Sequence, residues 1–487
     1  MNLRRLSLLY LILPFALFAL GWLRLVIALP MLALLAWTFY AAAKPSTSNP
    51  SASLRASLQP STLILIFLWL LLSGIGGYAF QNWDHHWRNA VLRDLINYPF
   101  PVYYAHPEQG AIKALVYYIG FWLPAAWAGK AFGWGAANLA LFAWTFLGVT
   151  LTVQQLSARL QTSTRNAALA LIFFSGADAL GAFLFAADYP TLFPPISHLE
   201  IWAGGLQYSS FTTQLFWVFN QSVPAWLCVA LIINSKRLDE KILLGALCFF
   251  FAPLAAVGLF PYLWIDGAEE LRGGLKNLRA QILLTGGLIA AVSYFYFASN
   301  NAAQMRGLNV PNLATFSAFF LLEGGALWLL LAPAQWRNPR WALTGAALFF
   351  IPFIQLGSGQ DFVMRASIAP LFYLMIFSVE ALLQNKLPRP SKIAVCALLL
   401  IGALTPLYEM NRAAYRTAQY YLLDESQRAA PRRAPAQFIE KSGAPEAEHP
   451  GALTADEIYS LSELKDKLAK NFIANPRKTF FYRWLSK

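Results

Sequence analysis

Charged residues are scarce in this chain of 487 residues. Asp, Glu, Lys and Arg together make up 13% of the sequence, whereas 57% is hydrophobic and 15% is aromatic. A soluble domain could not cover so much apolar surface with so few charges. Repeated apolar runs of roughly 17–25 residues instead indicate a helical protein that crosses a membrane many times.

Cysteine and histidine are also few, and their positions exclude several kinds of site. The three cysteines, Cys228, Cys248 and Cys396, lie in apolar runs without metal-ligand spacing, which favours small core residues over a disulfide framework. The histidines all fall in predicted loops or in the C-terminal tail: His85, His86, His106, His198 and His449. A membrane-bound O-acyltransferase, which uses a buried histidine, is therefore not favoured.

The formal net charge of +13 would suggest a nucleic-acid partner in a soluble protein. In so apolar a chain it indicates Lys and Arg that hold loops on the cytoplasmic side, and no nucleic acid is expected. Residues 1–20 superficially resemble a signal peptide. They lack a clear small-residue cleavage site, and a second apolar run follows at once, so we expect an uncleaved anchor.

The placement of Lys and Arg sets the predicted orientation. Arg4 and Arg5 precede an apolar hairpin, and Lys44 and Arg55 follow it, so both of its ends are predicted to be cytoplasmic. The next run crosses outward and places Asp84 outside. The predicted spans are about Leu6–Trp22, Leu25–Ala42, Ser61–Phe80, Ala136–Val153, Ala167–Ala186, Leu215–Ile233, Gln281–Ser299, Thr315–Leu331, Trp341–Leu356, Ala366–Leu383 and Ile393–Leu407.

Two further apolar runs are harder to place. Ile242–Ile265 contains Pro253 and Pro261, and we interpret it as two short helices that begin and end inside. Ala111–Phe132 is interpreted as a helix lying in the outer interface, because a full span would put Arg159 outside. The predicted fold class is an all-α integral membrane protein with about 13 transmembrane helices and external interfacial helices.

The chain is predicted to have three parts. These are an N-terminal hairpin with a cytoplasmic linker (1–60), a transmembrane catalytic core (61–407) and an external tail (408–487). The core is expected to carry external loops at 81–135, 188–214 and 357–365. Residues 430–436 (APRRAPA) within the tail have the composition of a linker.

The first external loop begins with NWDHHWRNAVLRDLINYPFP (82–101), where two Asp, two Arg and two His directly follow an apolar run. Ionisable groups beside lipid are costly and tend to mark function. At 100° per residue the segment forms an amphipathic helix on the membrane surface, ended by residues 99–101. Its polar stripe contains His85, His86, Asn89, Arg93 and Asn97. Asp84 and Asp94 fall on or beside the apolar stripe and need a cation, a metal or a hydrogen-bond donor there.

Asp84 is the predicted catalytic base or metal ligand, with His85, His86, Arg88 and Asp94 as candidate substrate-binding residues. The alternative is that Asp84 and Arg88 simply form an i, i+4 pair at the start of the helix. Adjacent residues on a helix diverge by about 100°, so Asp84 and the two histidines seldom ligate one zinc ion together. Mg or Mn held by Asp84 and a lipid phosphate is the more credible metal site.

The second segment, 188–224, is both polar and aromatic and too long for a simple turn. Aromatic faces beside amide and carboxylate groups suit a sugar ring, which shows C–H bonds on its faces and hydroxyls at its edge. The candidate substrate-binding residues here are His198, Glu200, Trp202, Gln207, Tyr208, Asn220 and Gln221. The alternative is an ordered loop that plugs the outer mouth of the bundle.

The third segment is GSGQDFVMR (357–365), between two predicted spans. Asp361 and Arg365 have i, i+4 spacing at the start of the following helix, and Arg365 could bind a phosphate or diphosphate through two parallel hydrogen bonds. A local salt bridge is the alternative. All three segments are predicted to share the outer face.

The chain resembles the GT-C superfamily, the multi-span glycosyltransferases that use polyprenyl-phosphate-linked sugars. The resemblance rests on Asp84 in the first long external loop, on interfacial helices in that loop, on bent helices such as that around Pro253, and on an external C-terminal tail. The segments 198–210, 215–227 and 361–370 also resemble uncharacterised bacterial membrane proteins. The chain departs from the common pattern because Asn82 and Asp84 flank Trp83 in place of a tight acidic pair.

The resemblance implies an enzyme of the bacterial inner membrane whose active site faces outward. A polyprenyl-phosphate-linked sugar would be the donor, and a glycan or lipid would be the acceptor. Asp84 would deprotonate or orient the acceptor hydroxyl, and Arg365, with Arg88 or a cation, would stabilise the departing lipid phosphate. Three other classes stay open, namely a polymerase or ligase of surface polysaccharide that uses lipid-diphosphate donors, a lipid or polysaccharide transporter, and a purely structural membrane scaffold.

Overall fold

The computed structural model describes residues 2–42, 58–106, 111–185, 191, 193, 195, 198–273, 278–300, 306–356, 361–419, 458, 460–463 and 471–487. Its helices are α1 Leu3–Trp22, α2 Leu25–Ala42, α3 Pro60–Leu71, α4 Asp84–Asn97, α5 Leu123–Phe132, α6 Trp134–Leu160, α7 Thr164–Phe173, α8 Asp178–Phe185, α9 Phe211–Asn234, α10 Leu238–Phe251, α11 Pro253–Arg272, α12 Ala280–Phe297, α13 Leu313–Phe320, α14 Ala326–Leu330, α15 Ala332–Gln335, α16 Pro339–Phe350, α17 Asp361–Ala366, α18 Ile368–Leu383, α19 Arg389–Gly402 and α20 Leu404–Ala418. Its strands are β1 Tyr103–His106, β2 Ala111–Leu115, β3 Arg306–Leu308, β4 Ile354–Leu356 and β5 Ile473–Ala474.

The protein has the helical architecture of an all-α membrane protein. Within the described residues, eight helical stretches are long and apolar enough to cross a membrane: 3–22, 25–42, 134–160, 164–185, 211–234, 280–297, 313–330 and 389–418. Helices α3 and α18 are apolar but shorter. Helix α9 is the most enclosed of the eight, with 83% of its most apolar window buried, so it forms the centre of the bundle.

The predicted span Ser61–Phe80 is only partly a helix. Helix α3 ends at Leu71, and Gly74 and Gly76 follow with φ angles of 77° and 81°. These angles lie in the left-handed region, which glycine enters without steric cost, so the two glycines turn the chain out of the helix. The prediction of a continuous span over Ser61–Phe80 is wrong because it followed the apolar composition and not the glycines that interrupt the run.

The interfacial helix predicted over Ala111–Phe132 is wrong in its first half. Residues 111–115 form strand β2, which pairs antiparallel with β1 on one side and with β5 on the other. The helix α5 begins only at Leu123, with Pro124 in its first turn, where a missing N–H costs nothing. These residues form a strand because they pair with β5, a distant segment that local periodicity does not reveal.

Helix α20 runs across position 408, where the sequence predicts the boundary between core and tail. Helix α20 continues to Ala418 and carries Glu409 and Arg412 at buried positions. The two side chains form an i, i+3 ion pair, so each supplies the partner that the other needs away from water. The linker predicted at 430–436 lies outside the described residues.

The two ends of the bundle carry different polar clusters. At one end Arg279 bonds Asp239 at 2.8 Å and Glu240 at 2.5 Å, and Arg4 at the start of α1 pairs with the same glutamate. At the other end of α1, the backbone N–H of Lys487 donates to the carbonyl of Trp22 at 3.1 Å. The C-terminal residues therefore lie at the end of the bundle opposite to the Arg4 cluster.

The predicted pair of short helices over 242–265 is confirmed as α10 and α11, which break at Ala252. Lys241 bonds Asp266 at 2.7 Å, so α10 starts and α11 ends close together. The two helices thus begin and end at one end of the bundle.

Asp94 fastens the C-terminal residues to helix α4. Its carboxylate is fully buried and accepts from Tyr104 Oη at 2.8 Å, Ser460 Oγ at 3.1 Å and the Leu461 backbone N–H at 2.8 Å. We expect Asp94→Ala to leave these donors without an acceptor and to destabilise their docking by about 2–4 kcal/mol. Limited proteolysis should show faster cleavage of the tail, while Arg93→Ala, which removes a partly exposed partner, should have a smaller effect. Equal cleavage rates in all three proteins would contradict the anchoring role.

Candidate active site

The loop that carries Asp84 docks onto a break in helix α9. The backbone leaves helical geometry at Val218, where φ is −134° and ψ is 34°. Asn82 Nδ2 donates to the carbonyl of Phe216 at 2.8 Å, and His85 Nε2 lies 3.0 Å from the same oxygen. Carbonyl groups beside a break are open to bonds from outside the helix. The break therefore supplies the anchoring points of the loop.

Helix α4 has the bounds that the amphipathic pattern predicts, but His85 and Asn89 of its polar stripe face protein. His85 and Asn89 are only 2% and 6% exposed. Asn89 Nδ2 donates to Gln81 Oε1 at 2.9 Å, and His85 bonds helix α9 as described above. Burial lowers the pKa of His85 to about 3, so this ring is neutral at physiological pH. His86 lies edge-on against Trp83 and is only half-buried.

Asp84 starts helix α4 and forms an ion pair with Arg88. The distance from Arg88 Nη2 to Asp84 Oδ2 is 2.8 Å, so the i, i+4 pair left open by the sequence is present. Arg88 also donates to Tyr117 Oη at 3.0 Å and to the carbonyl of Trp217 at 2.8 Å. The guanidinium is 4% exposed and fixed on three sides, whereas a quarter of the Asp84 side chain reaches the surface. The pair thus presents its carboxylate outward.

The third segment lies near the first at Arg365. Its Nη1 lies 2.5 Å from Asp361 Oδ1, and the charges of both residues act on Asp84 and on Tyr118. Arg365 is 7% exposed and Asp361 is 49% exposed. The Nε–H of Arg365 is buried and has no hydrogen-bond partner among the described residues. A buried guanidinium N–H without an acceptor is costly, and it is a ready donor to a bound anion.

The electrostatics of this cluster favour a basic carboxylate beside a permanent cation. Burial raises the pKa of Asp84, and the positive charges of Arg88 and Arg365 only partly oppose that rise. Burial alone would lower the pKa of Arg365, but the charge of Asp361 raises it. A carboxylate with a raised pKa holds a proton more strongly, as a general base requires.

The second segment lies beside the first through Trp217. His198 stacks on the Trp217 ring at 5.1 Å with an interplanar angle of 10°, and its Nδ1 lies 3.1 Å from Glu409 Oε1. Trp217 Nε1 donates to the same carboxylate at 3.1 Å, and Arg412 Nε bonds it at 2.9 Å. Because the Trp217 carbonyl accepts from Arg88, this cluster and the Asp84 cluster share one residue.

The His198–Glu409 pair makes stability depend on pH. Burial would lower the pKa of His198, but Glu409 raises it above 6.5. A histidine whose pKa is higher in the folded state stabilises that state below pH 6.5, and the contribution disappears as the pH rises through the folded-state value. We therefore expect the melting temperature in detergent to fall as pH rises from 6 to 9, with a shallower fall in His198→Gln. Identical slopes in the two proteins would contradict this linkage.

Four other predicted residues of the second segment form hydrogen bonds within the loop or with helices below it. Glu200 accepts from Gln207 Nε2 at 2.7 Å and from the Ser210 backbone N–H at 3.0 Å. The Trp202 indole donates to Glu323 at 2.9 Å, and the Tyr208 hydroxyl donates to the carbonyl of Leu348. These bonds describe an ordered loop over the bundle, so the structure favours the plug alternative for these four residues.

Asn220 and Gln221 lie in helix α9, two and three residues beyond the break. Both side chains are fully buried, and their amide atoms have no hydrogen-bond partner among the described residues. Asp94, in contrast, is buried and accepts from Arg93, Tyr104, Ser460 and Leu461, so its oxygens are held by protein donors.

A divalent cation does not fit the residues around Asp84. Its charged neighbours are two guanidinium groups and Asp361, which is itself paired with Arg365. Nowhere in the described part of the chain do three or more His, Cys, Asp or Glu side chains gather as metal ligands would. Arg88 and Arg365 supply the positive charge near Asp84 that the sequence analysis assigns to a divalent cation.

Sequence reasoning missed four residues of the two clusters, namely Tyr117, Tyr118, Glu409 and Arg412. Both tyrosines fall in the stretch predicted to be an interfacial helix, whereas Tyr117 Oη accepts a hydrogen bond from Arg88. The i, i+3 spacing of the other two, directly behind an apolar run, was the available signal for an ion pair.

No family model, no curated protein and no solved structure matches this chain.

Proposed function

We propose that this protein is a membrane glycosyltransferase that moves a sugar from a polyprenyl-phosphate carrier to a glycan or lipid acceptor. The observation that supports the proposal most is the convergence of Asp84, Arg88 and Arg365 at one end of the bundle. A base beside fixed cations is what glycosyl transfer from a lipid phosphate needs.

In this reaction the acceptor hydroxyl attacks the anomeric carbon of the donor sugar. Its proton passes to Asp84, whose raised pKa suits that transfer. The new bond joins the acceptor oxygen to the anomeric carbon, and the bond from that carbon to the phosphate oxygen breaks with both electrons on the phosphate. The lipid phosphate leaves with one more negative charge than it had in the donor.

Arg365 is the residue that stabilises this negative charge on the phosphate. Its unpaired Nε–H can donate to a phosphate oxygen, while Nη1 stays on Asp361. Arg88 is held by the protein on three sides and cannot turn toward a ligand without losing those bonds. We assign Arg88 to positioning Asp84 and Arg365 to stabilising the departing phosphate.

We assign sugar binding to the aromatic residues around Asp84 and not to those of the second segment. The Trp217 ring is already covered by His198 and by the Arg412 guanidinium, 5.3 Å from its centroid. Trp83 precedes Asp84 in the chain, and Tyr118 lies close enough to Arg365 to feel its charge; both rings are half-buried. Their partly open faces are the surfaces we propose for the sugar ring.

We further propose a location in a bacterial inner membrane with about 13 crossings, the N-terminus inside and the Asp84 cluster outside. Support comes from the basic side chains at the opposite end of the bundle. Arg4, Arg237 and Arg279 gather there around Asp239 and Glu240. Positive residues prefer the cytoplasmic side of a membrane.

A polysaccharide polymerase or ligase with a lipid-diphosphate donor is the second candidate. Two guanidinium groups near one carboxylate favour it, because a diphosphate carries a second negative charge that the charge of Arg88 could stabilise while its protein hydrogen bonds stay in place.

Donor type separates the two candidates. Purified protein should be incubated with a polyprenyl-phosphate sugar or a polyprenyl-diphosphate sugar, and the released lipid should be identified by mass spectrometry. Release of the lipid monophosphate supports our proposal. Release of lipid diphosphate alone would replace it with the polymerase, and no transfer from either donor would reject both. Parallel reactions with Mg²⁺, Mn²⁺ or EDTA test the cation that the sequence suggests.

A further inference from the structure

Two apolar helical stretches are interrupted where they touch each other, away from the Asp84 cluster. Residues 174–177 separate helices α7 and α8, and a π-helical turn over Leu321–Gly325 separates α13 and α14. The backbone N–H of Ala177 donates to the carbonyl of Leu322 at 2.9 Å and so joins the two breaks. Breaks inside membrane spans occur where protein or a cavity covers the backbone, and in transporters they often form ion sites.

Each break carries one buried carboxyl group. Asp178 is 0% exposed and Glu323 is 1% exposed. Ser175 Oγ donates to Asp178 Oδ2 at 3.0 Å, and Trp202 Nε1 donates to Glu323 Oε1 at 2.9 Å. One oxygen of each carboxyl group therefore has an ordinary donor.

The other two oxygens, Asp178 Oδ1 and Glu323 Oε2, are buried and have no hydrogen-bond partner among the described residues. The two carboxyl groups lie close enough for each to act on the other. Two ionised carboxylates contain only acceptors, so a hydrogen bond between them requires a proton. The next charged neighbour is Glu200, which is also negative, and the His198 that acts on Asp178 is already paired with Glu409.

A small pocket reaches this pair between the two breaks. Its lining includes Ser175, Gly176, Ala177, Glu323, Gly324 and Leu327. A Cβ atom at Gly176 would collide with Glu323 Oε2, so the glycine lets the backbone approach the carboxyl group closely. Glu323 is thus a buried acid that lines a cavity, with one oxygen that has no donor among the described residues.

We propose that Asp178 and Glu323 form a proton-binding site within the membrane, in which the two carboxyl groups share one proton. The proton comes from water and returns to it, and no other bond forms or breaks. This site is independent of glycosyl transfer at Asp84 and would equally serve a proton-coupled transporter.

Occupancy of the site acts on the loop over the bundle. With the proton bound, the pair carries one negative charge and its hydrogen bond joins the two helix breaks. When the proton leaves, two negative charges in a poorly hydrated site repel each other. Trp202 is bonded directly to Glu323, so separation of the breaks moves the segment that also carries Glu200 and Gln207.

Infrared spectroscopy of the full-length protein in lipid nanodiscs tests the proposal. At neutral pH the wild type should show the carbonyl stretch of a protonated carboxylic acid, with a shift in D₂O. Asp178→Asn and Glu323→Gln should each abolish that band, because the remaining carboxyl group then accepts a hydrogen bond from an amide and can ionise. The amides replace the shared proton as donors, so both variants should remain folded. Glu380→Gln is the matched control, because Glu380 is paired with Arg159 at 2.9 Å and should not contribute to the band.

A second measurement needs no variant. Dicyclohexylcarbodiimide reacts with protonated carboxyl groups in apolar surroundings, so peptide mass spectrometry of the treated wild type should find it on Asp178 or Glu323. A wild type without the band and without this adduct would overturn the proposal. So would a band that persists in both variants, or one that NaCl but not choline chloride removes, which would indicate a sodium ion in place of the proton.

Discussion

Asp84→Asn should reduce sugar transfer by about 10²–10⁴-fold, the usual contribution of a general base. Asparagine keeps the shape of the side chain and an oxygen for Arg88, so the protein should purify and melt much like the wild type. Asp84→Glu should recover part of the rate, because it restores a base. Turnover of a polyprenyl-phosphate sugar by purified protein gives the measurement.

Two comparisons make this result specific. Glu269→Gln removes an exposed carboxylate that bonds Arg340 at the other end of the bundle, and it should leave the rate unchanged. The wild-type rate should also rise with pH through the raised pKa of Asp84, because only the ionised carboxylate accepts a proton. Full activity in Asp84→Asn would exclude the base and the mechanism built on it.

Arg365→Ala should lower kcat by about 10²–10³-fold, as expected when one preorganised donor to a developing negative charge is lost. Arg365→Lys should give an intermediate rate, because the ammonium keeps a charge but cannot donate from both Nε and Nη. KM should change less than kcat in both variants if the interaction strengthens as the phosphate departs.

The stability of the Arg365 variants should stay close to that of the wild type. The partner left behind, Asp361, is 49% exposed and can be hydrated once the guanidinium is gone. Arg88→Ala is the opposite case, because it leaves buried acceptors and Asp84 without their donor, so it should lower the melting temperature. An Arg365→Ala enzyme with wild-type kcat would show that the phosphate leaves without this residue.

Sequence patterns predicted the parts of the fold that are set locally. Helix α4 has a clear amphipathic period, and Pro99 ends it, so its bounds follow from the residues alone. The break at Pro253 follows in the same way, because proline cannot donate to the preceding turn. The meeting of Asp84 with Arg365 was expected only as a consequence of the predicted membrane orientation.

The rest depends on contacts between distant parts of the chain. Strand β2 exists because β5 pairs with it, and no local pattern shows that partner. The aromatic residues of the second segment were predicted to hold a sugar, yet the Trp217 ring is covered by His198 and the Trp202 indole is bonded to Glu323. The composition of a segment indicates which chemistry its side chains could perform. Contacts with other parts of the chain determine whether those side chains are accessible to a ligand.

The three-stranded sheet also has a consequence for biogenesis. Leu115 of β2 pairs with Ile473 of the C-terminal segment, and its carbonyl accepts from Tyr482, 367 positions later. Until that segment has been translated, the edge of β2 that pairs with β5 stays unpaired, and unpaired strand edges are a known template for aggregation. A ribosome that stalls before residue 471 would release a chain whose bundle is assembled but whose sheet is incomplete, and such a chain should be a preferred substrate for quality-control proteases.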